Sequence, residues 1–280
     1  MRTLPALLLL SLAAAGCGGN GSGEASPGSG GLIAAGATDA QARLAASPRH
    51  GEWVMIPAPG GDSVRAWVVY PESSRRAPVV LVVHEIFGVT HWIRGVADQL
   101  AADGFIAIAP DLLTGKGVPN DSAGEPARDA ATAAIRTLDA NEVDRRLRAV
   151  ARWGMALPAA TDKFGLVGFC WGGGTVFTQA ARDPEVDAVV VYYGTSPAAE
   201  VLQNVRAPVL GLYGGNDARV NATIPPADSV LKRLGRTFET RIYEGAGHGF
   251  LRQQTGATDA NRLAAEKAWP ETIAWFRRHL

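Results

Sequence analysis

A chain of 280 residues, 47% hydrophobic and 19% charged, carries enough apolar material for one sizeable buried core. Its 27 Lys and Arg balance 27 Asp and Glu, so there is no basic field to draw in nucleic acid or an anionic membrane surface. The two cysteines, Cys17 and Cys170, could in principle pair, but their surroundings give each a different occupation.

Residues 1–17, MRTLPALLLLSLAAAGC, carry Arg2 and then an apolar stretch from Leu4 to Ala15. That stretch is too short for a stable membrane-spanning helix and has the length of a signal-peptide core. It ends in Ala14-Ala15-Gly16-Cys17, which resembles the lipobox of bacterial lipoproteins. The resemblance implies cleavage before Cys17 and acylation of its thiol and new amino group; the alternative is an ordinary secretory signal cut near Ala15. Residues 18–31, GGNGSGEASPGSGG, cannot bury apolar surface and read as a flexible tether. Residues 32–50 carry a weak amphipathic pattern in Leu32, Ile33, Ala42, Leu44 and Ala45. The expected organisation is a signal peptide over 1–16, a lipidated Cys17 with its tether over 17–50, and a folded domain over 51–280. Such a protein would be an exported lipoprotein, anchored by its lipid on the periplasmic or cell-surface side of a bacterial membrane.

From Glu52 onward, strands alternate with helices. Trp53–Ile56 and Val64–Tyr70 flank Pro59-Gly60-Gly61-Asp62, a hairpin signal. Val79–Val83 is a continuous apolar run of the kind buried on both faces of a parallel sheet. A helix pattern over Ile93–Asp103 stops at Gly104, and Phe105–Ala109 is the next buried strand. Residues 112–127, rich in Gly, Pro, Asn and Ser, read as a long loop, and the apolar spacing from Ala130 to Val150 suits one or two helices. Phe164–Val167, Ala188–Tyr193, Pro208–Tyr213 and Phe238–Tyr243 read as strands; Thr175–Arg182, Pro225–Leu234 and Asn261–Leu280 read as helices. The alternation implies right-handed crossovers and an α/β fold, a mostly parallel sheet with helices on both faces. Ligands then bind beyond the carboxyl ends of the strands.

Within that frame, Gly168-Phe169-Cys170-Trp171-Gly172 follows an apolar strand and opens a helix, the small-x-nucleophile-x-small pattern of a nucleophile elbow with Cys in place of Ser. Only residues without Cβ tolerate the backbone crowding of so sharp a turn, and a helix N-terminus favours a thiolate. A buried structural Cys beside an ordinary glycine turn would show the same five residues. Its companions argue for chemistry: Glu85, Asp217 and His248 also fall at strand ends. A thiol needs a base, and His248, between Gly247 and Gly249, has room to approach another loop. Asp217 is the candidate to orient the imidazole, and nucleophile, acid, His is the chain order of α/β-hydrolases. The other four histidines compete poorly, His84 being expected to pack or hydrogen-bond near the sheet edge. No His/Cys/carboxylate set has metal-ligand spacing, and Gly172-Gly173-Gly174 lacks the context of a dinucleotide fingerprint, so neither metal nor cofactor is expected.

Taken together, His84-Glu85-Ile86-Phe87-Gly88, the Cys170 elbow, the Asp217 turn and Gly247–Arg252 resemble the dienelactone hydrolase (carboxymethylenebutenolidase) family over about residues 50–280. The resemblance implies an α/β-hydrolase fold and cleavage of an ester or lactone through an acyl-thioester. Cys170 would be the nucleophile, His248 the base and acid, and Asp217 its orienter. It implies that Glu85 partners the resting thiol, and that the backbone N–H groups of Ile86 and Trp171 form the oxyanion hole. Family members hold a substrate carboxylate with arginines; Arg252 matches one such position, while Arg128 and Arg136 are unaligned options for another. A general carboxylesterase is the first alternative, and a surface lipoprotein that kept the fold for binding is the second, although a binder has no need of all four polar groups. The expected partner is a small-molecule ester or lactone, with no nucleic acid, membrane contact only through the N-terminal lipid, and a monomeric or weakly oligomeric state.

Overall fold

The computed structural model describes residues 33–254 and 259–280. The expected signal peptide, Cys17 and the Gly/Ser-rich stretch lie outside the described residues.

Eight strands form one sheet in the order β1-β2-β4-β3-β5-β6-β7-β8. Strands β1 (Gly51–Ala58) and β2 (Asp62–Val69) make an antiparallel hairpin, closed by Gly60 and Gly61 at φ 84° and 78°, where a Cβ would be strained. Strand β2 also runs antiparallel to β4 (Ile106–Asp111). From β4 onward every pairing is parallel: β3 (Ala77–Val83), β5 (Ala160–Phe169), β6 (Ala188–Tyr192), β7 (Val209–Gly214) and β8 (Phe238–Tyr243). The chain leaves β3 for β4 on one side and returns to β5 on the other. The carboxyl ends of β3 and β5 therefore flank the topological switch point, where such sheets open a crevice.

Helices cover both faces. On one, α1 (Ala37–Ala45), α2 (His91–Ala102) and α9 (Ala260–His279) pack over Val80, Val82 and Val190. On the other, α4 (Ala140–Met155), α5 (Trp171–Arg182) and α8 (Ile224–Arg233) pack over Val79, Leu81 and Val189. Residues 79–83 are fully buried because successive side chains enter opposite apolar layers, which is why an unalternating run forms this strand. The expected elements are all present, with shifted ends. Strand β5 begins four residues before Phe164, and α2 begins at His91, with the Thr90 hydroxyl accepting from the Ile93 N–H. The region from 126 to 153 holds two helices, α3 (Arg128–Ile135) and α4. Two further one-turn helices, α6 (Ala199–Leu202) and α7 (Ala218–Asn221), are too short to leave a periodic pattern.

The stretch 33–50, grouped with the tether on sequence grounds, is packed onto the domain. Ala34 and Ala40 are fully buried, Ala40 lying opposite Gly95 of α2. Arg43 donates to the Ile33 carbonyl and to Gln99 at 2.7 Å each, and Arg49 grips Asp98 with two N–H groups at 2.6 and 3.1 Å. Alanines carry little amphipathic signal, so a segment docked by small apolar side chains and by charged anchors is faint in the sequence. Residues 112–127 are tied down too: Glu125 accepts from the His91 backbone N–H, Lys116 pairs with Glu142 at 2.8 Å, and Asn120 bridges Pro126.

Candidate active site

Strand β5 delivers Cys170 to the sheet's carboxyl edge in a sharp turn. Cys170 has φ 55° and ψ −116°, a region that costs a residue bearing a Cβ about 1–3 kcal/mol and persists only when its surroundings enforce it. They do: the Cys170 N–H donates to the Tyr192 carbonyl at 3.0 Å, and glycines let backbones meet. A Cβ on Gly168 would lie 2.1 Å from the Gly172 carbonyl oxygen, and one on Gly172 would lie 2.4 Å from the oxygens of both Val83 and His84. The elbow is thus wedged against the end of β3, beside Glu85.

Two loops at the far side of the sheet bring His248 to Asp217. Asp217 ends the turn after β7, and His248 follows β8; the loops are joined by the Asn216 N–H donating to the Ala246 carbonyl at 2.9 Å. His248 Nδ1 lies 2.5 Å from Asp217 Oδ2, and the Asp217 side chain is only 7% exposed while that of His248 is 35% exposed. A carboxylate can only accept, so Nδ1 carries the hydrogen and Nε2 is left as the basic nitrogen. No hydrogen bond joins the imidazole to the Cys170 thiol. Tyr193 is near both: its ring meets the His248 ring edge-on at 5.1 Å, and its buried hydroxyl feels the charges of Glu85, Cys170 and Arg252. Tyr193 has φ 39° and a hydroxyl with no hydrogen-bond partner. Nothing in its sequence context marks it.

The second carboxylate differs. Glu85 Oε2 sits 2.7 Å from Arg252 Nε, but neither atom makes an aligned hydrogen bond, so the contact is an ion pair without directional closure. Burial raises the Glu85 pKa to about 7 against the lowering pull of Arg252 and then Arg128. The Cys170 thiol is pushed up to about 11, first by burial and then by the Glu85 charge, with the Trp171 N–H acting in the opposite direction. Burial and a neighbouring anion therefore outweigh the helix N-terminus that the elbow pattern led one to expect would favour a thiolate. Glu85 is close enough to influence the sulfur, but its contact partner is Arg252. That arginine, on the turn after His248, shares the Phe87 ring with Arg128, whose guanidinium stacks at 3.8 Å against 5.3 Å for Arg252. Arg136, the other unaligned option, is an exposed residue capping the end of α3.

Residues 64–280 match the Dienelactone hydrolase family profile. The chain belongs to the dienelactone hydrolase family. An Escherichia coli K12 relative named "Putative carboxymethylenebutenolidase" is 32% identical over 231 residues, covering 78% of this chain and 84% of its own length. A Bradyrhizobium relative named "Probable 2-oxo-3-(5-oxofuran-2-ylidene)propanoate lactonase" is 31% identical over 245 residues, 82% of this chain and 94% of the relative. Among solved structures, one titled "Putative Dienelactone Hydrolase" from Klebsiella pneumoniae aligns with TM-score 0.72 and 28% identity, covering 82% of this chain and 98% of that one. With the sheet order above, these relations make the fold that of an α/β-hydrolase and this dienelactone hydrolase family member an ester or lactone hydrolase.

Proposed function

We propose that the enzyme opens an ester or lactone bearing a carboxylate, through a Cys170–His248–Asp217 triad and an acyl-thioester. The observation that carries this reading is the 2.5 Å His248–Asp217 contact at the same sheet edge as a cysteine forced to φ 55°. The substrate carboxylate pairs with Arg252, and Arg128 beside Phe87 adds a second cation. This exchange releases Glu85 from its counter-charge, so its affinity for a proton rises above the already elevated value of about 7. The Cys170 S–H proton passes to the Glu85 carboxylate, and the thiolate forms only when substrate is in place.

The thiolate then adds to the carbonyl carbon, and the carbonyl electron pair moves onto oxygen, facing the backbone N–H groups of Ile86 and Trp171. Collapse re-forms the carbonyl, breaks the C–O bond and expels the ring or ester oxygen, which takes up the proton that Glu85 received from the thiol. His248 Nε2 next removes a proton from water, hydroxide adds to the thioester, and the Cys170 thiolate leaves to be reprotonated. Asp217 holds the Nδ1–H tautomer throughout. The resting thiol, with a pKa near 11, is protected from adventitious alkylation and oxidation until that exchange occurs.

The test is a panel of carboxylated lactones and neutral esters assayed with wild type and Cys170→Ala. Loss of every activity in the variant supports the reading, and retained turnover defeats it. We also propose that Cys17 is lipidated and anchors the enzyme outside the cytoplasm, on the strength of the lipobox-like Ala14–Cys17 segment. Palmitate incorporation should vanish in Cys17→Ser; labelling that persists would overturn the anchor.

A further inference from the structure

We propose that His84 is the positioning residue of the oxyanion site: a buried neutral imidazole that aims the Ile86 N–H and braces the Trp171 indole. The inference rests on the reading above, in which those two residues supply the oxyanion donors.

Backbone partners alone specify the state of this ring. His84 Nδ1 lies 2.7 Å from the Glu85 carbonyl oxygen, which can only accept, so Nδ1 carries the hydrogen. His84 Nε2 receives the Leu112 backbone N–H at 3.2 Å, and an N–H can only donate, so Nε2 is a lone pair. Both ring nitrogens are satisfied in one tautomer, and an imidazolium would turn a second N–H toward that of Leu112. The side chain is wholly buried, and burial depresses its pKa against the opposing pulls of the Asp111 carboxylate and the Glu85 carbonyl. This histidine is built to stay neutral and still.

The bond to Glu85 has a geometric consequence. The Glu85 C=O and the Ile86 N–H belong to one planar trans peptide and point in opposite directions. Fixing the carbonyl on His84 therefore fixes the direction of the Ile86 N–H. That N–H has no acceptor among the described residues. A carbonyl that accepts a hydrogen bond also polarises its own peptide, which strengthens the N–H as a donor. On its other side the His84 ring stacks on the Trp171 ring, centroids 5.7 Å apart and planes 24° from parallel. One ring thus touches the peptide that carries the first donor and the side chain of the residue that carries the second, and Leu112, just past β4, anchors it. Glu85 and His248 handle protons; His84 handles geometry.

The experiment separates oxyanion stabilisation from thiol reactivity, because alkylation of Cys170 by iodoacetamide forms no oxyanion whereas acylation by p-nitrophenyl acetate does. His84→Phe keeps a stacking ring and loses both hydrogen bonds. Acylation should slow about tenfold to a hundredfold, the range below loss of a whole donor, while alkylation stays within about twofold of wild type. His84→Asn, whose amide N–H replaces that of Nδ1, should recover most of the acylation rate. Equal falls in both reactions, unchanged acylation in His84→Phe, or no recovery in a folded His84→Asn would each overturn the proposal. A measurement on the wild type covers the case in which the phenylalanine variant does not fold. The 15N spectrum of His84 should show Nδ1 protonated and Nε2 bare at pH 7; the other tautomer or an imidazolium would overturn it. Cys170→Ala assayed alongside keeps the two claims apart: turnover surviving there sinks the triad reading, whereas a dead Cys170→Ala with a fully active His84→Phe sinks only the role of His84.

Discussion

Asp217 and Glu85, both at the carboxyl edge of the sheet, are partnered in opposite ways. Asp217 meets His248 in one short, directed hydrogen bond at 2.5 Å between loops that are themselves tied together. Glu85 meets Arg252 at a similar separation of 2.7 Å, but without aligned hydrogen bonds and with its pKa raised to about 7 by burial. The first contact is a fixture, which suits an orienting role. The second is poised to exchange, since an incoming anion can take over Arg252 and hand Glu85 the need for a proton. Both side chains are buried, and it is the partner and its alignment that make one carboxylate suited to a brace and the other to a trigger.

That contrast can be broken at several points. The largest effect belongs to the proposed nucleophile: Cys170→Ala should cut kcat/KM on lactones and simple esters by at least about a thousandfold, read by steady-state hydrolysis. Asp217→Asn should lower kcat about a hundredfold to a thousandfold on every substrate at pH 7 with little change in KM, because the His248 tautomer is no longer held. If carboxylated and neutral substrates suffered differently in Asp217→Asn, Asp217 would not be a brace. Arg252→Gln should be selective instead. Its kcat/KM should fall about ten- to a hundredfold for a carboxylated lactone, the worth of one charged contact, and only a fewfold for p-nitrophenyl acetate. Equal losses on both substrates would remove the trigger from this arginine.

Much of the brace was legible from residues alone, and little of the trigger was. The elbow announces itself because Gly168 and Gly172 are sterically required within five residues of Cys170. Asp217 and His248 are each marked by a strand end and adjacent glycines. The buried strands were equally plain, since Val79–Val83 contacts apolar layers above and below. The Glu85–Arg252 contact joins distant segments whose approach depends on the fold, and no local pattern records it. The helix N-terminus beside Cys170 can be read from sequence, whereas the desolvation that raises its pKa cannot; only the resemblance points to a resting thiol beside Glu85. His84 packs and hydrogen-bonds as its place at the sheet edge suggests, but its link to Ile86 and Trp171 and the place of Tyr193 leave no local pattern, because the partners are backbone groups and rings. Segment 33–50 escaped because its docking rests on Arg43 and Arg49 finding Gln99 and Asp98.

The smallest expected effect concerns stability and addresses the trigger without any substrate. A carboxyl whose pKa rises from an ordinary 4.5 to about 7 on folding binds protons more tightly in the folded state. The stability it confers is fully present below about pH 4.5 and is lost as pH rises through about 7, because the buried group must then ionise. Between pH 5 and 8 this should amount to about 2 kcal/mol of unfolding free energy. Glu85→Gln removes the titration and leaves an amide of the same shape, so its stability should fall less than that of the wild type across the same interval. Urea denaturation of both proteins at several pH values measures the difference in slope, which is insensitive to whatever constant cost the substitution carries. Diverging curves would mean that Glu85 balances between carboxylate and acid near neutrality even beside Arg252, so that loss of Arg252 to a substrate anion tips it to the acid. Parallel curves would mean that Arg252 holds it ionised throughout, making the second carboxylate a brace like the first and leaving the thiol proton to His248.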